Sequence, residues 1–408
     1  MSTTLFTDLA QVITCESADA SCVREGAALA VADGVILEVG AAADLEARYE
    51  RAARVAGGGG VLTPGFIDSH THAVFGGWRA AEYALRSRGV PYMEIARRGG
   101  GINASIRDVR ALPEDELVAR SVPRLQRLLD HGTTTVEIKS GYGLATDAEL
   151  KQLRVARALA DETPLEIRRT FLGAHEFPPE YRERHEDYVA LVIREMIPAV
   201  AREGLADFCD VFCEPGVFTP AQARRILEAG RDHGLIPRLH ADELENSGGA
   251  ELAVELEAAS ADHLGAVSST GVAALGAAAD TVATLLPATL LFLGKTTYAP
   301  ARRLLDAGAT VALATDFNPG SSPTPSMPLV LTLACSQLGM DPLEALCAAT
   351  AGGARALRLG SGYGTLVPGA PADLLIWDLP DYREIPYRFG SPPLREVWKR
   401  GVRVRPSL

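Results

Sequence analysis

Val61-Leu62-Thr63-Pro64-Gly65-Phe66-Ile67-Asp68-Ser69-His70-Thr71-His72 is the stretch on which the reading of this chain turns. Pro64-Gly65 punctuates it, a short apolar run follows, and the run ends in two histidines one residue apart. Side chains alternate faces along a β-strand, so His70 and His72 point the same way, with Asp68 behind them. Two neutral imidazoles side by side at a strand end make half of a metal site. A solvated strand end can look the same, so the remaining ligands have to come from elsewhere in the chain.

Working outward, strand-like runs fall at 66–72, 133–139, 166–174, 207–212, 237–241, 259–263, 281–286 and 310–316. Amphipathic helical patterns lie between most of them, as at 117–131, 148–161, 188–202, 221–233 and 301–307, and two final helices are expected at 328–338 and 342–357. Repeated β-α units predict a parallel sheet, and eight of them predict a closed (β/α)8 TIM-like barrel. The competing open, doubly wound sheet would place Gly-x-Gly-x-x-Gly after its first strand, and none is found there. Both chain ends lack helical periodicity. Residues 27–40 read as a hairpin turning at Asp33-Gly34, and 364–369, 372–378 and 397–402 read as strands and turns. Neither end alone carries enough strands to bury a core. The expected organisation is a small β-sandwich domain made of 1–65 and 360–408, with the α/β barrel, 66–359, inserted between its halves.

The bulk numbers bound the function. The chain has 408 residues, 47% hydrophobic and 23% charged, an ordinary globular balance with ample material for a large core. A formal net charge of -12 argues against nucleic acid or an anionic membrane as partner, since both need a basic face. The six cysteines are scattered, which suits reduced thiols better than a disulfide scaffold, and Cys209 and Cys213 read as core packing. Neither a signal peptide nor a membrane-length apolar run is visible, so a cytoplasmic protein is expected.

In barrels of this kind the chemistry sits at the C-terminal strand ends. His70 and His72 end the first expected strand, His175 the third, His240-Ala241-Asp242-Glu243 the fifth, Asp262-His263 the sixth and Asp316 the eighth. Five of the 8 histidines therefore gather on one rim, whereas His131, His185 and His233 read as ordinary helix-end or surface residues. His70, His72, His240 and Asp316 supply three imidazoles and a carboxylate. That set suits one metal ion, Zn²⁺ or iron as Fe²⁺/Fe³⁺, with a position left open for water; structural sites are closed and usually rich in cysteine.

These residues carry a resemblance. Pro64-Gly65-Phe66-Ile67-Asp68, His70-Thr71-His72, His240, His263 and Asp316, with the split β domain, resemble the amidohydrolase superfamily. Within it, His70 through Arg79, Gly99-Gly100-Gly101-Ile102, Glu137-Ile138-Lys139-Ser140-Gly141-Tyr142-Gly143, Phe171-Leu172-Gly173-Ala174-His175, His240-Ala241-Asp242-Glu243 and Thr315-Asp316-Phe317-Asn318-Pro319-Gly320-Ser321 resemble the imidazolonepropionase family, over nearly the whole chain. The resemblance implies hydrolysis of the cyclic amide of 4-imidazolone-5-propanoate to N-formimidoyl-L-glutamate in histidine degradation, by a homodimer. It supports Asp316 as a group that also takes a proton from water.

Glu243 then reads as a proton shuttle to the leaving ring nitrogen, or as an acid facing a helix dipole. His263 reads as a water-positioning or oxyanion-stabilising group, or as a ligand of a second metal. A binuclear site would want a lysine or glutamate on the fourth strand, which leads to Glu214; Lys139 lies on the second, and one metal is favoured. The small anionic substrate needs a cation, for which Arg79 is the first candidate. Tyr142 and His175 are expected on the ring or carboxylate, with Tyr92 as a further contact. The backbone N–H groups of Asn318, Gly320 and Ser321, in the turn after Asp316, could meet an anion, or the turn is a plain strand-to-helix connection. The rival readings are another cyclic amidohydrolase, a base deaminase with no need of Arg79, and a silent barrel acting as a scaffold, which would be expected to have lost its ligands.

Overall fold

The computed structural model describes residues 3–90, 94, 99–389 and 393–405; Tyr92 lies outside them. Two sheets organise the chain. The first draws on both ends: β1 (Thr4–Ile13), β2 (Val23–Glu25), β3 (Ala27–Ala32), β4 (Val35–Ala41) and β5 (Ala53–Pro64), then β14 (Leu374–Trp377), β15 (Leu394–Lys399) and β16 (Val402–Arg405). Its order is β16-β15-β14-β5-β1-β3-β4, with β2 on β1. The long strand β5 joins the halves, running parallel to β1 and antiparallel to β14. The expected hairpin is present: Ala32 pairs with Val35, and the two residues between them, Asp33 (φ 50°) and Gly34 (φ 79°), take the left-handed conformations this tight turn requires. Leu29, Leu62, Leu374 and Ile376 share one buried apolar cluster with Phe6, whose ring meets Trp398 edge-on at 5.0 Å.

The second sheet holds β6 (Phe66–Asp68), β7 (Thr133–Lys139), β8 (Glu166–Ala174), β9 (Phe208–Cys213), β10 (Ile236–Ala241), β11 (Ser260–His263), β12 (Val282–Leu285) and β13 (Val311–Leu313). Each pairs in parallel with its sequence neighbour. No ladder joins β6 to β13. Instead the segments just past them close the ring: Asp316 N–H donates to His70 O at 3.0 Å and His72 N–H to Phe317 O at 2.9 Å. The Asp68 carboxylate adds bonds from Thr315 N (3.0 Å) and Thr315 Oγ1 (2.6 Å). The TIM-like barrel expected from the sequence is therefore present, with first and last strands shorter than the apolar runs suggested.

The helix expected at 188–202 contains a wide turn at Val192–Met196 followed by Ile197–Arg202. Pro198 explains it, because its ring and missing N–H cannot continue an ordinary i to i−4 ladder. The expected helix 342–357 is likewise broken, into Pro342–Cys347, a wide turn Ala348–Gly352 and Gly353–Ala356. Cys209 and Cys213 are buried in β9, as packing requires. Among the described residues, no helix is long and apolar enough to cross a membrane.

Candidate metal centre and substrate cavity

His70 and His72 follow β6 in extended backbone, and their rings lie 5.4 Å apart. His240, on β10, brings its ring to 4.5 Å from that of His70. One nitrogen from each of the three lies within 4.8 Å of the others. Burial, the largest cause, and neighbouring positive groups hold His70 and His72 well below the usual imidazole pKa, so both are neutral and able to donate a lone pair. His70 Nε2 and His240 Nε2 are buried without a hydrogen-bond partner. Meanwhile His70 Nδ1 is 2.7 Å from Asp262 Oδ2, and His240 Nδ1 lies 3.0 Å from Asp210 Oδ2. Orphaned nitrogens on one side and carboxylates on the other are what a histidine metal site needs. Asp316 Oδ1 lies 3.7 Å from His70 Nε2 and 3.5 Å from His72 Nε2, so the fourth sequence candidate joins the group. The residues present fit a metal ion.

Beneath the histidines lies a fully buried charge network. Lys139 Nζ bonds Glu137 Oε1 and Asp210 Oδ2, each at 2.8 Å, and Arg238 Nη2 bonds Asp262 Oδ2 at 3.0 Å. Burial would raise both aspartates. His240 and Lys139 outweigh it at Asp210, and Arg238 with Lys139 holds Asp262 down at about 2, so both stay ionised behind the rings. Lys139 is thus held as an ammonium supporting the site from the second barrel strand.

Three strand exits use strained backbone. Asp242 (φ 52°), His263 (φ 80°) and Asp316 (φ 52°) are non-glycine residues in the left-handed region, a feature that gathers at functional sites. Just beyond Asp242, Glu243 lies partly buried beside the cluster, its Oε2 3.7 Å from His263 Nε2. Burial first, then the charges of Asp316 and Glu214, raise Glu243 to about 8. Burial also raises Asp316 to about 6, although Thr289 Oγ1 donates to its Oδ2 at 2.6 Å. Glu214 anchors the loop from below by accepting the N–H groups of Glu243, Leu244 and Glu245.

A cavity of about 510 Å³ opens over these groups and takes in His72, Arg79, Tyr142, His175, His240, Glu243, His263, Asp316, Asn318, Gly320 and Ser321. Of the sequence-expected site residues that are described, all except buried His70 therefore line one space. His175 stacks on His72 at 5.0 Å and 17°, with its Nδ1 3.0 Å from Gly141 O. Tyr142 is buried 5.8 Å from the His72 ring. Arg79 Nε is taken by Glu82 at 2.9 Å. Its guanidinium lies so close over Gly320 that a Cβ there would meet Nη1 at 2.3 Å, so the glycine makes room for the arginine. The turn Asn318–Ser321 closes on itself. Asn318 Oδ1 already accepts Gly320 N–H (2.8 Å) and Ser321 N–H (2.7 Å), so these amides serve the turn and are not free for an anion.

Sequence reasoning missed Arg86, which also lines the cavity and ties the helix Ala80–Ser87 to Phe292 O at 3.0 Å. Its position seven residues after Arg79, two helical turns on the same face, was the available signal. Lys295 lines the cavity as well and had no sequence signal. Of the three discounted histidines, His185 stacks on Phe177 and His233 Nδ1 faces its own helix carbonyl at Ala229.

The fold and this geometry agree with comparisons to known proteins. A family model described as "Amidohydrolase family" matches residues 61–405. Proteins named imidazolonepropionase are similar along most of the chain. That of Geobacillus kaustophilus is 49% identical over 381 residues, 92% of this chain and 89% of its own. That of Myxococcus xanthus is 48% identical over 393 residues, 96% of this chain and 93% of its own. Among solved structures, a 5-methylcytosine deaminase from Klebsiella pneumoniae (TM-score 0.76, 18% identity, 99% of this chain and 98% of that one) shares the fold. So does a zinc-bound adenosine deaminase from Xanthomonas campestris (TM-score 0.74, 21% identity, 99% and 93%). With a family model over most of its length and relatives this similar, the chain belongs to the amidohydrolase family and, within it, to the imidazolonepropionases.

Proposed function

We infer that this enzyme hydrolyses the ring amide of 4-imidazolone-5-propanoate to N-formimidoyl-L-glutamate, a step of histidine degradation. The observation that carries the reading is a single cavity that opens over a buried three-histidine cluster and is lined by a protonatable glutamate and the Arg79 guanidinium. His70, His72, His240 and Asp316 would hold one metal ion, zinc or iron, which supplies Lewis acidity and makes water a competent nucleophile near neutral pH. Arg79, whose Nε alone bonds Glu82, binds the propionate, and Tyr142 and His175 orient the ring. Water adds to the ring carbonyl carbon, Asp316 accepts its proton, and neutral His263 donates an N–H toward the developing oxyanion. Glu243, raised to about 8 and so protonated at pH 7, delivers a proton to the ring nitrogen as the C–N bond breaks.

Residues 1–65 with 360–408 and residues 66–359 are taken as the two domains of a cytoplasmic homodimer that engages neither nucleic acid nor membrane. An absorbance assay on freshly generated imidazolone propionate tests the activity. Decay should accelerate with enzyme and return to background with chelator. Decay at the uncatalysed rate throughout removes the assignment.

A further inference from the structure

A second cavity, about 680 Å³, shares no lining residue with the one above. Arg120, Arg124 and Arg127, on the helix Glu114–Asp130, and His131 at its end line one side of it. Spaced by four, three and four, these positions fall on one helix face. Trp78 and Phe317 add aromatic surface, and no Asp or Glu lines the cavity among the described residues.

Arg124 sits deep, 7% exposed. Its Nη1 donates to Phe75 O at 2.6 Å, and its guanidinium carbon stands 3.5 Å from the centre of the Phe75 ring. Burial and the Arg120 charge lower its pKa to about 10, and Arg120 itself is paired with Glu116. Among the described residues, no carboxylate forms an ion pair with Arg124 or Arg127. Buried charges in proteins are ordinarily paired, so a deep guanidinium at the floor of a basic, acid-free cavity calls for an external anion.

We propose that this cavity is a binding site for a small oxyanion, bearing phosphate or carboxylate groups, distinct from the substrate cavity. Its other wall, Gly76–Trp78 with Phe317, Pro323 and Pro325, belongs to the two segments that carry the substrate site. Arg124 Nη1 also reaches Ala73 O at 3.4 Å, Trp78 immediately precedes Arg79, and Phe317 immediately follows Asp316 and bridges to Thr71. The Phe75, Trp78 and Phe317 rings pack within 6.1 Å of one another. An anion seated here therefore bears on the segment His72–Arg79 from outside the substrate cavity.

The test is a fluorescence titration of the metal-loaded enzyme with inorganic phosphate and, separately, citrate, at constant ionic strength. Trp78 is 53% exposed, whereas Trp377 and Trp398 are at 0% and 9%, so the signal is local and should vanish in Trp78→Phe. Saturable binding with one site per chain is expected from at least one probe, and which probe saturates identifies the phosphate or carboxylate chemistry. Arg120→Ala combined with Arg127→Ala, both at the solvent-facing rim, should weaken it about tenfold or more. Arg79→Met should leave the affinity unchanged. A linear, non-saturating response to both anions, an affinity indifferent to the rim double variant, or binding abolished by Arg79→Met would each overturn the proposal.

Discussion

Replacing Arg79 with methionine removes the charge while keeping a long side chain over Gly320. In the structure Arg79 is 16% exposed at its side chain, and Nε is committed to Glu82 at 2.9 Å. That leaves the two Nη atoms to grip a carboxylate in parallel. Hydrogen bonds to charged groups contribute roughly 1.5–3 kcal/mol each. Because the site is partly open to solvent and the two bonds are not independent, about 3 kcal/mol is a fair total. At about 1.4 kcal/mol per factor of ten, kcat/KM should fall roughly 100-fold. The propionate does not react, so its grip is the same in ground and transition states and most of the loss should appear in KM. Steady-state kinetics by loss of imidazolone absorbance measures this, and metal analysis of the same preparation should show an unchanged ion content. Arg79→Lys should recover only part of the loss, since an ammonium cannot reproduce the planar fork. A KM for Arg79→Met within threefold of the parent enzyme would refute the reasoning and move the carboxylate clamp elsewhere.

His240→Ala should lose bound metal and nearly all activity together; full metal occupancy by elemental analysis would remove His240 from the ligand set. If Glu243 acts as an acid with a pKa near 8, kcat should fall as pH rises through about 8, and a flat profile to pH 9.5 would contradict the role. In metal-free protein the buried rings should each cost thermal stability as pH falls below about 6.5, while Glu243 and Asp316, raised when folded, act in the opposite sense. His70, His72, His175 and His263 are held neutral when folded and take up protons on unfolding, at up to about 1.4 kcal/mol per pH unit per group. Metal-free His175→Gln should therefore lose less melting temperature than the parent between pH 7 and 5, and equal losses would argue against a buried neutral ring there. Asp262→Asn removes the carboxylate behind His70 and should reduce metal affinity about 10- to 100-fold, read by competition with a chromogenic chelator.

What the chain disclosed before folding was periodicity and position. Alternating apolar runs and amphipathic helices announce the barrel because a strand's and a helix's repeat are local properties. The histidines and acids at the ends of those runs follow from the rule that parallel barrels place their chemistry at one mouth. Arg86 and Lys295 escaped notice because an isolated basic residue on a helix or loop has no local mark distinguishing it from a surface charge. The amides of Gly320 and Ser321 left two readings open for a related reason: whether a turn's N–H groups point at a ligand or at Asn318 depends on a side-chain rotation that sequence does not encode. Lys139 and Arg238 look like strand residues facing an apolar interior, and only the convergence of Asp210, Asp262 and Glu137 from other strands makes their charges tolerable.

The ring of strands is sealed by the same residues that would bind the ion. Asp68 and His70 meet Thr315 and Asp316 across a gap that no β ladder bridges. Nearly 250 residues separate the two sides of that seam. During synthesis the first histidines must therefore wait, without their carboxylate, until the eighth strand has emerged and docked. A chain cut short before Asp316 has no reduced version of the catalyst to offer. Loading the ion afterwards would act as a rivet, resisting the parting of first and last strands, so the loaded barrel should open at a higher temperature than the empty one.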